Sequence, residues 1–256
     1  MISKKTPEQL EKMLYAGQAL AEVIAELAKV LAPGITLLEV DALAERLIRD
    51  RGAVPSFLGY RGFPGSICAS PNSVIVHGIP DGTVLRDGDL LSVDGGLILD
   101  GWHADSAYTY PIGTVSAKAK RLLDTTQASL EAGIAQCRPG NRLTDISHAV
   151  QRVVEKAGFS VVKEFVGHGI GRDLHEDPQI PNFGPPGRGP LIEPGMVFAI
   201  EPMVNVGGWR TRTLDDGWTV VTADGSLSAH FEHTVAVTPA GPLVLTRLPA
   251  SSSVSR

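Results

Sequence analysis

The sequence has little of what would place it in a membrane, in a disulfide-stabilised class or on nucleic acid. No apolar run reaches the roughly 18 residues of a membrane-spanning helix, and the N-terminal stretch MISKKTPEQLEKM lacks an apolar signal core. Only two cysteines occur, Cys68 and Cys137, so we expect free thiols and a reducing compartment. The formal net charge is −5, which argues against a basic face for nucleic acid or anionic lipid. Together these absences predict a cytoplasmic protein.

What the chain has is a large apolar content and clear helix signals. Hydrophobic residues make up 43% of 256 residues, enough for one large domain or two small ones. Apolar residues at helical spacing predict a helix over 7–31, with Thr6 as its N-cap. The same spacing predicts a second helix over 36–51, which Gly52 ends.

An internal repeat divides the chain into two related parts. The segment APGITLLEVDALAERLIRDRG resembles RPGNRLTDISHAVQRVVEKAG, and RDGDLLSVD resembles EPGMVFAIE, so that Asp94 matches Glu201. Further on, HAD resembles HFE, so that Asp105 matches Glu232. The extra residues in the second part, NVGGWRTRTLDDGWTVVTADGS, are predicted to form loops and an added hairpin.

The repeat predicts the domain organisation. We expect one domain over 7–247 made of two α+β halves, roughly 7–125 and 126–247, with antiparallel strands. Because no Gly/Ser-rich or Pro-rich linker separates the halves, we expect them to share one sheet and one core. Residues 1–6 and 248–256 are predicted to be an N-terminal tail and a flexible C-terminal tail.

Two acids inside predicted strands are the first functional signal. Asp100-Gly101 between apolar runs is typical of a two-residue hairpin turn, which would pair Gly96 with Asp105. Asp94 then lies on the same face as Asp105, about 7–8 Å away along the diagonal of the ladder. A three-residue loop or a bulge would break this parity. His103 and His230 share the same faces by alternation, and neither is assigned a role.

Buried acids without a partner are costly. Two like charges facing a core lose hydration and repel each other, at a cost of several kcal/mol. For Asp94 alone, a solvated sheet face or an arginine partner explains the residue more simply. The repeat changes this balance, because it adds Glu201 and Glu232 at matching places and His168 lies in the glycine-rich turn GHGIG. Four carboxylates and one imidazole favour a pair of Mn, Fe(II), Co or Zn ions.

Seven stretches that follow one another along the chain carry a family resemblance. They are HGIP, VDGGLILDGWHADSA, GHGIG, LHEDP, AIEPM, DDGWTV and FEHTVAVT. In this order they resemble the motifs of type I methionine aminopeptidases, from about residue 7 to residue 247. The resemblance implies the pita-bread fold, in which two pseudo-symmetric halves surround a curved antiparallel sheet with helices outside. It also implies a monomer and two divalent metal ions, whose ligands are Asp94, Asp105, His168, Glu201 and Glu232, with Asp105 and Glu232 bridging.

The resemblance also implies roles for the neighbouring residues. His77 would contact the substrate, His175 would donate to the scissile carbonyl oxygen, and Glu201 would shuttle a proton. The side chain of the N-terminal methionine would be held by Tyr60, Phe63, Cys68 and Trp218. Without the resemblance, a histidine in a turn and aromatic residues in a core need no function. Phe63 stands where the family often has tyrosine, and Phe57 where a cysteine can occur.

The implied activity is co-translational removal of the initiator methionine from nascent proteins, with a transient ribosome contact. Two alternatives stay open on the same fold. An Xaa-Pro aminopeptidase usually carries an extra N-terminal domain and a different histidine set, whereas this chain begins almost at once with the first predicted helix. A non-catalytic binding protein would be expected to lose metal ligands, and all five are present here.

Overall fold

The computed structural model describes residues 2–248 and builds four helices from them. The helices are α1 (Pro7–Ala28), α2 (Leu37–Asp50), α3 (Ala117–Ile134) and α4 (Leu143–Lys156). None of these has the length and apolar composition that a bilayer crossing requires. Apart from Leu248, the predicted C-terminal tail lies outside the described residues, and the predicted domain limits remain predictions.

The helix boundaries follow from their capping residues. Thr6 accepts a hydrogen bond from the backbone N–H of Gln9, whose side chain accepts one from the backbone N–H of Thr6, so both ends of a capping box are present. Thr36 caps α2 in the same way. The first helix ends at Ala28 rather than at the predicted residue 31, because the N–H of Lys29 bonds the nearer carbonyls of Glu26 and Leu27 and tightens the last turn.

The strands of the first half are β1 (Val54–Pro55), β2 (Ile67–Pro71), β3 (Val74–Val76), β4 (Leu90–Leu99) and β5 (Trp102–Pro111). Those of the second half are β6 (Ser160–Val161), β7 (Gly167–Gly169), β8 (Glu176–Ile180), β9 (Val197–Ile200), β10 (Met203–Asn205), β11 (Thr211–Thr213), β12 (Val220–Thr222), β13 (Ser228–His230), β14 (His233–Thr238) and β15 (Gly241–Val244). A short 3-10 turn, Tyr60–Gly62, lies between β1 and β2.

Every strand pair in the described residues is antiparallel, and the strands form four hydrogen-bonded sheets. The first sheet has the order β1-β4-β2, with β5 also on β4, and the largest has the order β15-β14-β9-β7-β8. A third contains β13-β10-β6. The predicted added hairpin is β11–β12, which pairs with β3 of the first half. The strands thus divide into several ladders, where the sequence predicted one shared sheet.

The predicted register of the first hairpin is confirmed. Asp100 and Gly101 have φ angles of 51° and 74°, the left-handed values that a two-residue type I′ turn requires. Leu99 faces Trp102, and Gly96 faces Asp105. Asp94 and Asp105 therefore share one face of this hairpin.

The two halves join where β5 and β14 run side by side. The backbone N–H of Asp105 donates to Thr234 Oγ1 at 3.0 Å, and that hydroxyl donates to the carbonyl of Asp105 at 2.8 Å. Two residues along, the N–H of Glu232 donates to the carbonyl of Ala107 at 2.8 Å. The repeat matches Asp105 with Glu232, so these contacts are related by its approximate two-fold. Much of the junction uses threonine hydroxyls in place of a backbone ladder, and this divides the strands into separate sheets.

Each half has its own apolar core beneath its helices. Leu20, Ile24 and Val40 are buried with β2 and β4 residues in the first half, while Ile146 and Phe198 belong to the core of the second. A smaller cluster around Met13 and Leu245 lies between them and includes the aromatic residues of the loop before β2. Both cysteines are buried and free, as predicted.

Candidate active site

All five predicted metal ligands line one cavity of about 190 Å³ at the junction of the halves. Asp94 and Asp105 come from β4 and β5, His168 from β7, Glu201 from the end of β9 and Glu232 from the start of β14. His168 Nε2 lies 3.5 Å from Glu201 Oε1 and 3.9 Å from Asp105 Oδ2. Single donor atoms of Asp105, His168 and Glu232 all lie within 4.8 Å of one another.

The glycines around His168 explain how its strand reaches this position. A Cβ atom at Gly167 would lie 2.4 Å from the carbonyl oxygen of Ala199 on β9. A Cβ atom at Gly169 would lie 2.1 Å from the carbonyl oxygen of Asp177 on β8. Because glycine has no Cβ atom, β7 can lie close against both neighbours and carry the imidazole into the cavity.

The imidazole of His168 is oriented by its own backbone neighbourhood. Its Nδ1 lies 2.8 Å from the carbonyl oxygen of Gly169, so Nδ1–H donates and the Nε2 lone pair faces the acids. Burial, reinforced by His175, lowers the pKa of His168 to about 3. A neutral imidazole held by a carbonyl is the usual form of a histidine metal ligand.

The four carboxylates lie close together in a cavity where they are largely removed from water. Burial first, and the neighbouring acids second, raise the pKa of Asp105 and Glu232 well above the ordinary range. Burial likewise raises the pKa of Glu201 well above that range, and burial raises that of Asp94 to about 7. The lining of the cavity within the described residues offers one permanently charged cation, the exposed Arg61.

Three carboxylate oxygens in this cluster are buried and accept no hydrogen bond: Asp94 Oδ1, Asp105 Oδ1 and Glu232 Oε1. An unpaired buried acceptor costs about 1–3 kcal/mol, and more when it is charged. Oxygen donors with one imidazole fit a hard or borderline divalent cation. The residues present therefore fit the metal that the sequence predicts.

One histidine of the cluster was left without a role by the sequence analysis. His230 is buried, with Nε2 3.6 Å from Glu201 Oε2, and neither ring nitrogen makes a hydrogen bond. Its repeat partner His103 instead pairs with Ser56 at 2.9 Å. Strand alternation placed both on the ligand face, but alternation does not say which ring turns toward the acids.

The predicted methionine pocket forms the apolar side of the same cavity. Tyr60, Phe63, Cys68 and Trp218 all line it, together with Phe57 and Leu174. Trp218 comes from the hairpin β11–β12 and packs edge-on against Phe63, with ring centroids 5.2 Å apart. The Asp216 carboxylate accepts the backbone N–H of Trp218 at 2.8 Å and fixes the hairpin tip. Leu174 was not predicted, because nothing in its local pattern distinguishes it from a core residue.

Two further predicted histidines flank the acids. His77 has a φ angle of 59°, rare for a residue other than glycine, and burial lowers its pKa to about 4. His175 lies over His168, with ring centroids 4.3 Å apart, and its Nδ1 is 2.9 Å from the hydroxyl of Tyr60. Burial, with a contribution from Arg61, lowers the pKa of His175. Both rings are therefore neutral near pH 7.

Comparison with known proteins agrees with this geometry. The family model for metallopeptidase family M24 matches residues 11–239. Methionine aminopeptidase 1 of Bacillus subtilis (strain 168) is 55% identical over 248 residues, covering 97% of this chain and 100% of that protein. Methionine aminopeptidase 1 of Mycobacterium tuberculosis (strain CDC 1551 / Oshkosh) is 49% identical, covering 96% and 95%.

Solved structures give the same result for the fold. The methionine aminopeptidase of Thermotoga maritima superposes with a TM-score of 0.95 at 45% identity, covering 97% of this chain and 100% of that one. The prolidase of Pyrococcus furiosus has a TM-score of 0.79 at 20% identity, which shows the shared fold alone. The chain therefore belongs to metallopeptidase family M24, with the pita-bread fold. Within that family it belongs to the methionine aminopeptidases, as its motifs predicted, and not to the Xaa-Pro group.

Proposed function

We propose that this chain removes the N-terminal methionine of polypeptides by metal-dependent hydrolysis of the first peptide bond. The proposed ligands of two divalent ions are Asp94, Asp105, His168, Glu201 and Glu232, with Asp105 and Glu232 bridging. The observation that best supports this proposal is that four carboxylates and one imidazole converge beside an apolar pocket. Bound divalent cations supply Lewis acidity, which makes water nucleophilic near neutral pH and polarises a carbonyl.

The chain's own residues account for binding and proton movement. The pocket of Phe63, Cys68 and Trp218 excludes water and suits a polarizable thioether. A Tyr60 hydroxyl that donates to Nδ1 of His175 leaves the proton of that imidazole on Nε2. His175 can then donate a hydrogen bond to the scissile carbonyl oxygen as negative charge develops there.

Glu201 carries out the remaining proton transfers. His77 contacts the substrate beside the scissile bond. The Glu201 carboxylate lies beside the cavity, with Oε1 3.5 Å from His168 Nε2, where it can take up and return a proton. The proposal includes nascent proteins as substrates, a transient ribosome contact, a cytoplasmic location and a monomer. Its metal is Co, Mn, Fe(II) or Zn, since oxygen donors with one imidazole suit each of them.

The test uses metal-stripped protein and a Met-Ala-type peptide. We expect methionine release to return when one of the four ions is restored, with two ions bound per chain by mass spectrometry. Asp105→Asn or Glu232→Gln should lower kcat/KM by more than about 100-fold, since supporting residues alone reach that scale. The matched control is Asp124→Asn, whose side chain is exposed on α3. Turnover that survives either ligand substitution, or release that needs no metal, would contradict the proposal.

A further inference from the structure

A second cavity adjoins the active site. It has a volume of about 530 Å³, against about 190 Å³ for the active-site cavity. The two cavities share Tyr60, Arg61, Leu174 and His175 in their walls. We call the second cavity the β1 groove, because its outer wall carries Val54 of β1 and Leu58 of the following loop.

His175 lines both cavities, and its proposed role indicates which part of a substrate would enter the groove. In the proposed reaction this side chain meets the scissile carbonyl oxygen, with the methionine side chain in the apolar pocket behind it. The residues that follow the scissile bond must leave this small cavity. An extended chain advances about 3.3–3.6 Å per residue, so a substrate that passes His175 reaches the β1 groove within one or two residues.

The chemistry of the groove wall indicates what it binds. Val54 and Leu58 are 51% and 40% exposed, and both side chains face the groove. Single exposed apolar residues are ordinary, but two on one wall of a groove that continues an active site offer a binding surface. The groove carries one charge of each sign, Arg61 and Asp173, so its net charge does not select charged residues.

We infer that the β1 groove binds the two or three substrate residues that follow the scissile bond, and that Val54 and Leu58 favour apolar side chains there. This inference rests on the proposed function and adds a second specificity element to it. The competing exit is a smaller cavity of about 190 Å³, which His175 also lines together with His77, Glu164 and Phe165.

The experiment compares metal-loaded enzyme on three peptides that share the same first two residues: Met-Ala amide, Met-Ala-Gly-Gly and Met-Ala-Leu-Leu. For the unsubstituted chain we expect kcat/KM to be about tenfold higher for the leucine peptide than for the glycine peptide, the scale of a small apolar contact. Val54→Glu and Leu58→Glu should each bring this ratio close to one. Val54→Ser and Leu58→Ser repeat the measurement without adding a charge.

The chain supplies matched controls. Val84 and Leu191 are both 47% exposed and do not line the groove, so Val84→Glu and Leu191→Glu should keep the tenfold ratio and the basal activity. The inference is overturned if the unsubstituted chain has equal kcat/KM for the leucine and glycine peptides. It is also overturned if all four glutamate variants lower this ratio equally. Loss of the ratio in Phe165→Ala instead of the groove variants shows that the substrate leaves by the other cavity and also overturns it. Absence of Met-Ala cleavage refutes the proposed function itself, which the ratio does not address.

Discussion

The hydroxyl of Thr234 is the most informative place to perturb the junction between the halves. This one oxygen accepts the N–H of Asp105 at 3.0 Å and donates to the carbonyl of the same residue at 2.8 Å. Both residues are buried, and Asp105 is a proposed bridging ligand. Thr234→Val keeps the side-chain shape and the β-branch while removing both hydrogen bonds.

The expected loss of stability follows from the backbone N–H and carbonyl of Asp105, which both lose their hydrogen-bond partner. A buried backbone N–H and a buried carbonyl without partners cost about 1–3 kcal/mol each. We therefore expect the free energy of unfolding to fall by about 3 kcal/mol. In a chain of this size about 1 kcal/mol shifts Tm by roughly 2–4 °C, so Tm should fall by about 6–12 °C. Metal affinity should fall as well, because the backbone that carries Asp105 is no longer held.

Differential scanning calorimetry on metal-free and metal-loaded protein measures the first effect, and metal titration measures the second. The control is Thr238→Val on the same strand, whose hydroxyl bonds the neighbouring turn at the partly exposed end of β14. We expect less than about 1 kcal/mol there. If the two variants lower Tm equally, or if Thr234→Val leaves metal affinity intact, the hydroxyl does not hold the bridging residue in place.

Two further outcomes follow from the site. Tyr60→Phe keeps the pocket wall but removes the hydroxyl on Nδ1 of His175, so kcat should fall about tenfold with little change in KM. Nitrogen NMR of the imidazole, in a zinc-loaded sample, should show a changed tautomer, and an unchanged tautomer would contradict the assignment. The second outcome concerns pH. Burial lowers the pKa values of His77, His168 and His175, so above about pH 7 these rings are neutral in the folded chain, whereas the raised pKa values of Asp105, Glu201 and Glu232 keep protons on it. Because the folded state then binds more protons, the stability of metal-free protein should fall as the pH rises above about 7, and saturating Mn²⁺ should abolish that fall. A metal-free stability that rises over this range would refute the electrostatic account of the cluster.

The parts of the site that sequence could predict are those set by local rules. The turn at Asp100-Gly101 fixes the register of one hairpin, and that register puts Asp94 and Asp105 on one face. The repeat then extends the set to Glu201 and Glu232. Capping residues Thr6 and Thr36 likewise set the starts of α1 and α2. The metal-binding roles of the acids remain predictions until ions are bound and counted.

The parts that sequence could not supply depend on contacts between distant residues. The bond between Tyr60 and His175 joins positions 115 residues apart, and no local pattern encodes it. His103 and His230 occupy equivalent places in the repeat, yet Ser56 captures one ring and the acids face the other. The division of the strands into four sheets depends on hydroxyl hydrogen bonds such as those of Thr234, which strand patterns do not reveal.

The hairpin β11–β12 pairs with β3 of the first half and packs Trp218 against Phe63, while the acids come from other strands. Under the proposed function, amino-acid changes near Trp218 would therefore alter which first residue is accepted, while the strands that carry the carboxylates stay in place. Under that proposal the added hairpin separates selectivity for the first residue from the metal-binding strands of the duplicated scaffold.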